Sequence, residues 1–306
     1  MLSHTLSTHN LTILQLVRKP QPAKVDLLIL GAGWTSTFLI PLLTKEKITY
    51  AATTTTGRDG TYKFKFSEPS SPSEEEEDLH QYAALPAAKT ILITFPIKSA
   101  SGTRLLVDSF TKTHEKDNKP YQWIQLGSTG IWSIDGQETW VTRHSEYDRK
   151  DVRAVAEDAL LEIDGCVLNL SGLWGGERKV KHWVDRVAAT KEMLSGKMSL
   201  HMIHGEDVAR GIIAVHKKFD AAKGQRFMLT DLFVYDWWSL LLGYCGEIDV
   251  GNGNDERAKK QIKWIGELME ETGVRALPRS MEILGRCYDT REFWTTFGLM
   301  PTRARL

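Results

Sequence analysis

Residues 25–36 read VDLLILGAGWTS, and this stretch decides the fold of the 306-residue chain. The first six of these residues form an apolar run that only Asp26 interrupts, which is typical of a buried parallel strand when a glycine closes it. Residues 38–43 supply apolar side chains for a helix, and residues 48–52 are rich in strand-forming residues. The order of strand, glycine turn, helix and strand predicts a βαβ unit.

Strands and helices continue to alternate along the rest of the chain. Further strands are predicted at residues 62–66, 90–95, 121–126, 166–170, 198–203 and 226–229. Helices are predicted at residues 79–85, 102–114, 151–161 and 181–194, after Asp207, and from residue 235 onward. Alternation of this kind indicates a parallel sheet that is covered on both faces. We therefore expect an α/β fold, a Rossmann-like doubly wound parallel sheet with a small C-terminal lobe.

The composition narrows the function classes. Apolar residues make up 42% of the chain and charged residues 25%, which excludes collagen-like, disordered and membrane classes. Lys and Arg together number 39, as do Asp and Glu, so the formal net charge is zero. This balance removes the main electrostatic argument for a nucleic acid or an anionic membrane as a partner.

Neither a disulfide framework nor a metal site is predicted. Cys166, Cys245 and Cys287 are too few and too scattered for either role, and His201 and His204 would point to opposite faces of a strand. The cysteines fit a reducing compartment, so we expect a cytoplasmic protein. A faint likeness of residues 1–24 to a mitochondrial transit peptide is the alternative.

The glycine loop predicts a dinucleotide site. Gly31 permits the tight turn, and Gly33 lets the backbone approach a pyrophosphate at the positive start of the helix that opens with Trp34, Thr35 and Ser36. Ser36 stands where a third glycine is usual. A strand-to-helix turn without a ligand is the alternative interpretation.

The residues after the second and fourth predicted strands refine the expected cofactor. An acidic residue that would bind the ribose of NAD is absent from residues 53–58, which read TTTTGR. Thr53, Thr54 and Arg58 instead suit a 2′-phosphate, which predicts NADP rather than NAD, although Arg58 could be a solvated loop residue. Phe95 ends the fourth predicted strand, at residues 90–95, and Pro96 follows it. Both are predicted to border the same site, because ligands bind at the carboxyl ends of parallel strands.

A family resemblance covers residues 24 to about 242. The chain resembles the extended, atypical branch of the short-chain dehydrogenase/reductase superfamily, which is related to nucleotide-sugar epimerases. Each matching segment is degenerate alone, but their order strengthens the match. The segments are GAGW at residues 31–34, LGSTGIW at 126–132, NLSGLWG at 169–175 and MIHGEDVA at 202–209.

The resemblance implies where the substrate would bind. Ser128 would occupy the catalytic Ser/Thr position, with Thr129 as the fallback, and its hydroxyl would hydrogen-bond the substrate oxygen. The alternative interpretation, which is equally well supported, is that both hydroxyls simply cap the end of the strand. Trp132 and Trp174 follow strand ends and are predicted to contact the substrate.

The acid-base pair of the family is out of frame in this chain. The family uses Tyr-x-x-x-Lys on the helix predicted at residues 151–161, whereas here Tyr147 is followed by Lys150 three residues later. Aligned on the end of that helix, the two positions fall on Arg149 and Arg153. An arginine stays protonated and cannot act as a general acid near neutral pH. Tyr147 and Lys150 are therefore catalytic candidates only in an altered frame.

These observations favour an NAD(P)-dependent oxidoreductase or epimerase that acts on a carbonyl or carbinol group of a small molecule. The alternatives are a non-catalytic dinucleotide-binding or redox-sensing protein that has lost the acid-base pair, and a scaffold in which Trp34 blocks the turn. By analogy with relatives, we expect a homodimer.

The expected domain organisation follows from the same patterns. An N-terminal extension occupies residues 1–23, and an NAD(P)-binding Rossmann domain occupies residues 24–180. Within it, residues 67–78 are predicted to be a mobile acidic insert, because like charges in series repel one another. Residues 181–306 are expected to complete the sheet and form the substrate lobe.

Overall fold

A computed structural model describes residues 24–67, 79–114, 120–183, 187–246 and 255–304. The predicted N-terminal extension and residues 68–78 of the predicted acidic insert lie outside the described residues. In the described part of the chain, none of the helices combines the length and the apolarity that crossing a bilayer requires.

Seven parallel strands form the central sheet. They are β1 (Val25–Leu30), β2 (Tyr50–Thr54), β3 (Tyr62–Lys63), β4 (Ala88–Ile93), β5 (Gln122–Ser128), β6 (Cys166–Leu170) and β7 (Arg226–Leu229). Their spatial order is β3-β2-β1-β4-β5-β6-β7. This is the order of a doubly wound sheet. Strands are added on one side of β1 up to β3, and from β4 onward they are added on its other side. The predicted α/β fold class is confirmed.

Helices cover both faces of the sheet. The helices of the described residues include α1 (Trp34–Lys45), α2 (Ala100–Thr113), α3 (Val152–Glu162), α4 (Lys191–Ser195), α5 (Gly205–Lys217), α6 (Trp237–Gly246), α7 (Asp255–Thr272), α8 (Met281–Leu284) and α9 (Arg291–Phe297). Of these, α1, α2, α3, α5 and α9 pack on the sheet. One apolar core joins the sheet to α1, α5 and α9, and a second core joins it to α2 and α3.

The apolar run of β1 is explained by these two cores. Leu27 and Ile29 lie in the core beneath α1 and α5, whereas Leu28 and Leu30 lie in the core beneath α2 and α3. All four side chains are fully buried, because successive residues of a strand point to opposite faces and both faces are covered.

Two predicted elements differ from the observed ones near the start of the C-terminal region. The strand expected at residues 198–203 is two short strands: Ser199–Leu200 pairs antiparallel with Tyr235–Asp236, and Met202–His204 pairs parallel with Gly172–Trp174. The helix expected at residues 181–194 is interrupted, because the Thr190 hydroxyl accepts a hydrogen bond from the amide of Met193 and starts α4.

The C-terminal region contributes both to the sheet and to a separate cluster. Strand β7 and helix α5 belong to the sheet and its covering layer, while α4, α6 and α7 share a small apolar core of their own that includes Trp238 and Ile265. A domain boundary at residue 180 stays a prediction.

Candidate functional site

The turn between β1 and α1 requires glycine at its first position. Gly31 has a φ of +92°, and a Cβ there would lie 2.8 Å from the Thr94 hydroxyl. Only glycine adopts this conformation without strain. The amide of Gly31 donates to the Thr53 hydroxyl at 2.9 Å, and the amide of Ala32 donates to the Thr53 carbonyl at 2.6 Å. The side chain of Thr53 therefore holds the turn rather than reaching outward.

The start of α1 is open. Gly33 is the N-cap residue and offers no side-chain cap to the helix. Among the described residues, the nearest atom to a Cβ built on Gly33 is the Gly31 carbonyl oxygen, 4.0 Å away. A helix start concentrates unpaired amides and partial positive charge, so an open one can bind an anion.

The indole of Trp34 leaves this turn accessible. Its Nε1 donates to the carbonyl of Gly175 at 3.2 Å, and its ring packs edge-on against Phe38. The guanidinium carbon of Arg178 lies 4.4 Å from the centre of the indole ring. Trp34 thus joins α1 to the loop after Gly172–Trp174, and within the described residues Gly33 of the turn stays exposed.

A cavity of about 220 Å³ lies beside the turn, at the carboxyl edge of the sheet. It is bordered by the first turn of α1, the ends of β4, β5 and β6, and one face of α3. The lining residues are Thr35, Thr94, Pro96, Gln125, Leu126, Gly127, Ser128, Arg153, Glu157, Leu170, Ser171 and Leu173. Thr35, Pro96 and Ser128 are the residues of the predicted site that line it.

Three polar atoms of the cavity lining are buried without a partner. Gln125 Oε1, Glu157 Oε1 and Ser171 Oγ find no hydrogen-bond partner among the described residues. An unsatisfied buried acceptor costs free energy unless water or a ligand completes it. The arrangement therefore suits a ligand that donates hydrogen bonds.

Glu157 is fully buried and held by one of its two oxygens. Glu157 Oε2 accepts from Asn169 Nδ2 at 2.8 Å and from Arg226 Nη2 at 3.1 Å. Burial raises the pKa of the Glu157 carboxyl, and Asn169, Arg226 and the backbone amide of Ser128 only partly oppose that shift. The carboxyl reaches this position because Gly127 has no side chain: a Cβ there would lie 2.3 Å from Glu157 Oε1.

Ser128 presents its hydroxyl at the end of β5. Its oxygen accepts from the amide of Gly130 at 3.1 Å and caps the 3₁₀ turn Thr129–Trp132. This contact uses an oxygen lone pair, so the hydroxyl proton remains available to a ligand. Thr129 does not line the cavity: it is buried, and its carbonyl accepts from the hydroxyl of Tyr288.

The structure does not bring Tyr147 or Lys150 to the cavity. The Tyr147 hydroxyl donates to Asp158 Oδ1 at 2.9 Å, and the guanidinium of Arg226 lies over its ring at 4.5 Å. Lys150 is exposed and precedes α3. Arg153, one turn before Glu157 on α3, lines the cavity instead. The altered-frame pair stays a prediction without geometric support.

Trp132 and Trp174, which are predicted to contact the substrate, lie outside the cavity lining, and Trp132 is fully buried while Trp174 is half-buried. Trp132 is fully buried in the core, and its Nε1 donates to the carbonyl of Ser145 at 3.2 Å, so it cannot reach a ligand. Trp174 packs edge-on against His204 at 4.7 Å between ring centres. Neither residue lines the cavity.

The remaining predicted cofactor residues have varied placements. The Thr54 hydroxyl accepts from the amides of Gly57 and Arg58 and so orders the turn after β2. The Arg58 side chain is 70% exposed and lies 3.8 Å from the carboxylate of Asp59. Phe95 stacks on a neighbouring ring, and Ser36 is buried with its hydroxyl oxygen unpartnered among the described residues.

The described residues contain no group of His, Cys, Asp and Glu side chains that could hold a metal ion. His201 Nε2 accepts from the amide of Tyr288, and burial lowers the pKa of His201 to about 3. His204 Nδ1 accepts from the amide of Glu206. Both histidines serve local structure.

Gln125, Glu157 and Ser171 are not among the predicted site residues, and Arg153 enters only as the position on which the family's lysine falls. One signal was available, because Arg153 and Glu157 are four residues apart on a helix that was predicted, and residues at that spacing share a face. A second was the charged Glu157 next to the apolar stripe of the helix.

We predict that Gly127→Ala lowers the free energy of unfolding by about 2 kcal/mol. The new Cβ would lie 2.3 Å from Glu157 Oε1 and 2.5 Å from Asn169 Nδ2. These atoms end side chains that are locked in a buried network, so neither can move without losing a hydrogen bond. Chemical denaturation measures the change. The control is Gly266→Ala, because nothing lies within 4 Å of that position; equal effects in the two variants would contradict the packing argument.

No protein-family model and no curated protein sequence matches the chain. Solved structures do. Vestitone reductase from alfalfa (Medicago sativa) is 15% identical with a TM-score of 0.60, covering 92% of this chain and 94% of that one. A short-chain dehydrogenase/reductase superfamily protein from Agrobacterium tumefaciens with bound NAD is 11% identical, with a TM-score of 0.57 and coverage of 91% and 93%. Human epimerase family protein SDR39U1 with NADPH is 11% identical, with a TM-score of 0.53 and coverage of 90% and 95%. The chain therefore has the Rossmann-like α/β fold of short-chain dehydrogenase/reductase and epimerase structures.

Proposed function

We propose that the chain binds a nicotinamide dinucleotide along the carboxyl edge of the sheet and transfers hydride to or from a carbonyl or carbinol carbon of a small molecule. The observation that carries this proposal is that an open glycine turn adjoins a polar cavity. Thr35 belongs to both, because it lies in the first turn of α1 and lines the cavity. A ligand that spans the two needs an anionic part and a part that donates hydrogen bonds.

The residues present fit a dinucleotide. The uncapped start of α1 at Gly33 would hold the pyrophosphate, and the bare Cα of Gly33 leaves room for its approach. Pro96 and Arg153 would border the nicotinamide riboside within the cavity. When bound, a nicotinamide supplies or accepts the hydride. The structural neighbours from Agrobacterium and human, which carry NAD and NADPH, support this class of cofactor.

Ser128 is the residue proposed to act on the substrate oxygen. Its hydroxyl proton is not used by the contact with Gly130, and its side chain lines the cavity. A donor aimed at the oxygen of a carbonyl stabilises the negative charge that develops there during reduction.

NADP is the proposed form of the cofactor. The guanidinium of Arg58 is largely exposed beyond β2, and among the described residues the acid within ion-pair distance of it is Asp59, at 3.8 Å. An exposed guanidinium binds a phosphate bidentately and with charge assistance.

A second candidate function is a non-catalytic dinucleotide-binding or redox-sensing protein. One observation favours it: the hydroxyl of Tyr147 is engaged by Asp158, away from the cavity. Turnover distinguishes the two functions, because a binding protein would bind the cofactor and leave every carbonyl compound unchanged.

The proposed setting is the cytoplasm, with a small molecule as substrate and a homodimer as the assembly. Free, buried thiols at Cys166, Cys245 and Cys287 support a reducing compartment. The homodimer rests on analogy alone.

The first test of the proposal is Gly33→Asp, which we expect to raise the dissociation constant of NADP by about 100-fold or more, since it sets a carboxylate against the pyrophosphate. Isothermal titration calorimetry measures the constant. Gly33→Asn is the matched control, because it has the same size without the charge and both residues are good N-caps. We expect a smaller loss for Asn. A wild type that binds neither NADP nor NAD at millimolar cofactor would rule out the proposal.

The choice of NADP is tested by Arg58→Ala. The variant should weaken NADP binding by about tenfold, because it loses one charge-assisted contact with the 2′-phosphate. The affinity for NAD should stay unchanged. The NAD titration is the internal control. Equal wild-type affinities for the two cofactors, or a ratio that the variant leaves unaltered, would contradict the preference.

Hydride transfer is tested by Ser128→Ala across a panel of aldehydes, ketones and nucleotide sugars. Loss of one donor to the developing oxyanion should slow turnover by about 100-fold, with cofactor affinity unchanged. Ser101→Ala is the control, because Ser101 is exposed at the start of α2 and away from the cavity. Full activity of the Ser128 variant would remove that residue from the mechanism.

A further inference from the structure

We propose that Glu157 is the general acid and base of the cavity, an inference that rests on the proposed hydride transfer. Reduction of a carbonyl needs a proton as well as a hydride, and the family resemblance does not supply a proton donor in frame. The cavity itself contains one.

Among the described residues, Glu157 is the one cavity-lining residue whose side chain can release a proton near neutral pH. Of the described residues that line the cavity, only Arg153 and Glu157 have side chains that carry a charge in ordinary proteins. Arg153 stays protonated and cannot release a proton near neutral pH. The hydroxyls of Ser and Thr are too weakly acidic to serve unaided. Tyr147 is hydrogen-bonded to Asp158 and lies outside the lining.

The two oxygens of Glu157 are placed for different tasks. Oε2 is anchored by Asn169 and Arg226, at 2.8 and 3.1 Å. Oε1 is buried against Gly127 of β5 and has no partner at ordinary hydrogen-bond geometry among the described residues, while the backbone amide of Ser128 interacts with the same carboxyl. The Glu157 side chain lines the cavity, so a proton on Oε1 would make an O–H donor in the cavity wall beside Ser128 while the anchor on Oε2 stays in place.

The charges around Glu157 come from the elements packed against it. Strand β7 contributes the guanidinium of Arg226, which also pairs with Asp158 at 3.0 Å, so its charge is shared between two carboxylates. Helix α3 contributes Arg153 at the cavity lining. Strands β5 and β6 contribute the neutral amides of Gln125 and Asn169. Burial raises the pKa of Glu157 against the opposing effects of Asn169, Arg226 and the backbone amide of Ser128, and the raised pKa makes a proton easier to hold.

The carbonyl carbon would accept a hydride, which a bound nicotinamide would supply as it is oxidised, and the carbonyl would thereby be reduced. The electron pair of the carbonyl π bond moves to oxygen and takes the proton of Glu157 Oε1–H. The products are an alcohol and the Glu157 carboxylate, which regains a proton from solvent. Oxidation of an alcohol runs the same steps in reverse, with the carboxylate as base.

The experiment compares Glu157→Gln with Asp158→Asn. Both variants remove one carboxylate charge from Arg226, but only Glu157 lines the cavity. A purely structural role predicts similar effects for the two variants. Two readouts are taken: the titration of the Glu157 carboxyl by carbon NMR of glutamate-labelled protein without substrate, and the pH profile of carbonyl reduction. The Glu157 resonance is identified by its absence from Glu157→Gln, and Glu157→Asp identifies it if that variant does not fold.

We expect Glu157 to titrate above the ordinary range of glutamate and wild-type reduction to slow as pH rises through the same value, because the proton is then lost. Glu157→Gln should reduce the rate by about 100-fold, which is the usual size of a general-acid contribution. The variant should also abolish this pH dependence. Asp158→Asn should keep both the rate and the profile.

Contrary results separate the inference from the proposed function. A Glu157 that is ionised throughout the range, or equal rate losses in the two variants with an unaltered profile, overturns the inference alone. A wild type that binds no dinucleotide in calorimetry overturns the proposed function. A wild type that binds the dinucleotide but reduces no carbonyl compound overturns the enzyme and the role of Glu157 together, and leaves the binding protein.

Discussion

The buried contact in which the Arg226 guanidinium donates to the Glu157 carboxyl ties helix α3 to strand β7 in the interior of the protein. Asn169 extends the contact to β6, and Gly127 of β5 gives it room. A buried charge that loses its partner costs about 3–5 kcal/mol, so these four elements are held in one relative position. The cavity at the carboxyl edge takes its shape from that constraint, because three of its walls are β5, β6 and α3.

A second constraint fixes the other half of the site. The backbone of Gly31 is left-handed, and Thr53 on β2 receives the amides of the turn. The start of α1 is thereby aimed at the same edge of the sheet to which the cavity opens. Parallel strands bring their carboxyl ends together, so a turn after β1 and a polar pocket beside β5 become neighbours although they are far apart in sequence.

The arrangement departs from the acid-base pattern that the family resemblance implies. The phenol of Tyr147 packs against Arg226 and donates to Asp158, so it shares the ion-pair network rather than the cavity. Ser128 and Arg153 remain at the cavity, as a hydroxyl and a fixed cation. The proton donor proposed above, Glu157, lies eight residues after Arg149 and four after Arg153, the positions on which the family's tyrosine and lysine fall. A buried carboxyl would then take the place of a phenol.

The sequence by itself determined the βαβ unit, the parallel sheet and the glycine turn, because these depend on local periodicity and on the backbone freedom of Gly31. The family resemblance also pointed to Ser128, and the structure shows that this residue lines the cavity. Only the tertiary structure decided that Trp132 belongs to the core, that Thr53 holds the turn and that Tyr147 faces away from the cavity. It alone assembled Gln125, Glu157 and Ser171 around one space. Burial and hydrogen-bond partners come from residues distant in the chain, such as Arg226 for Glu157, 69 positions away, and no local pattern records which distant residue a folded sheet will bring near.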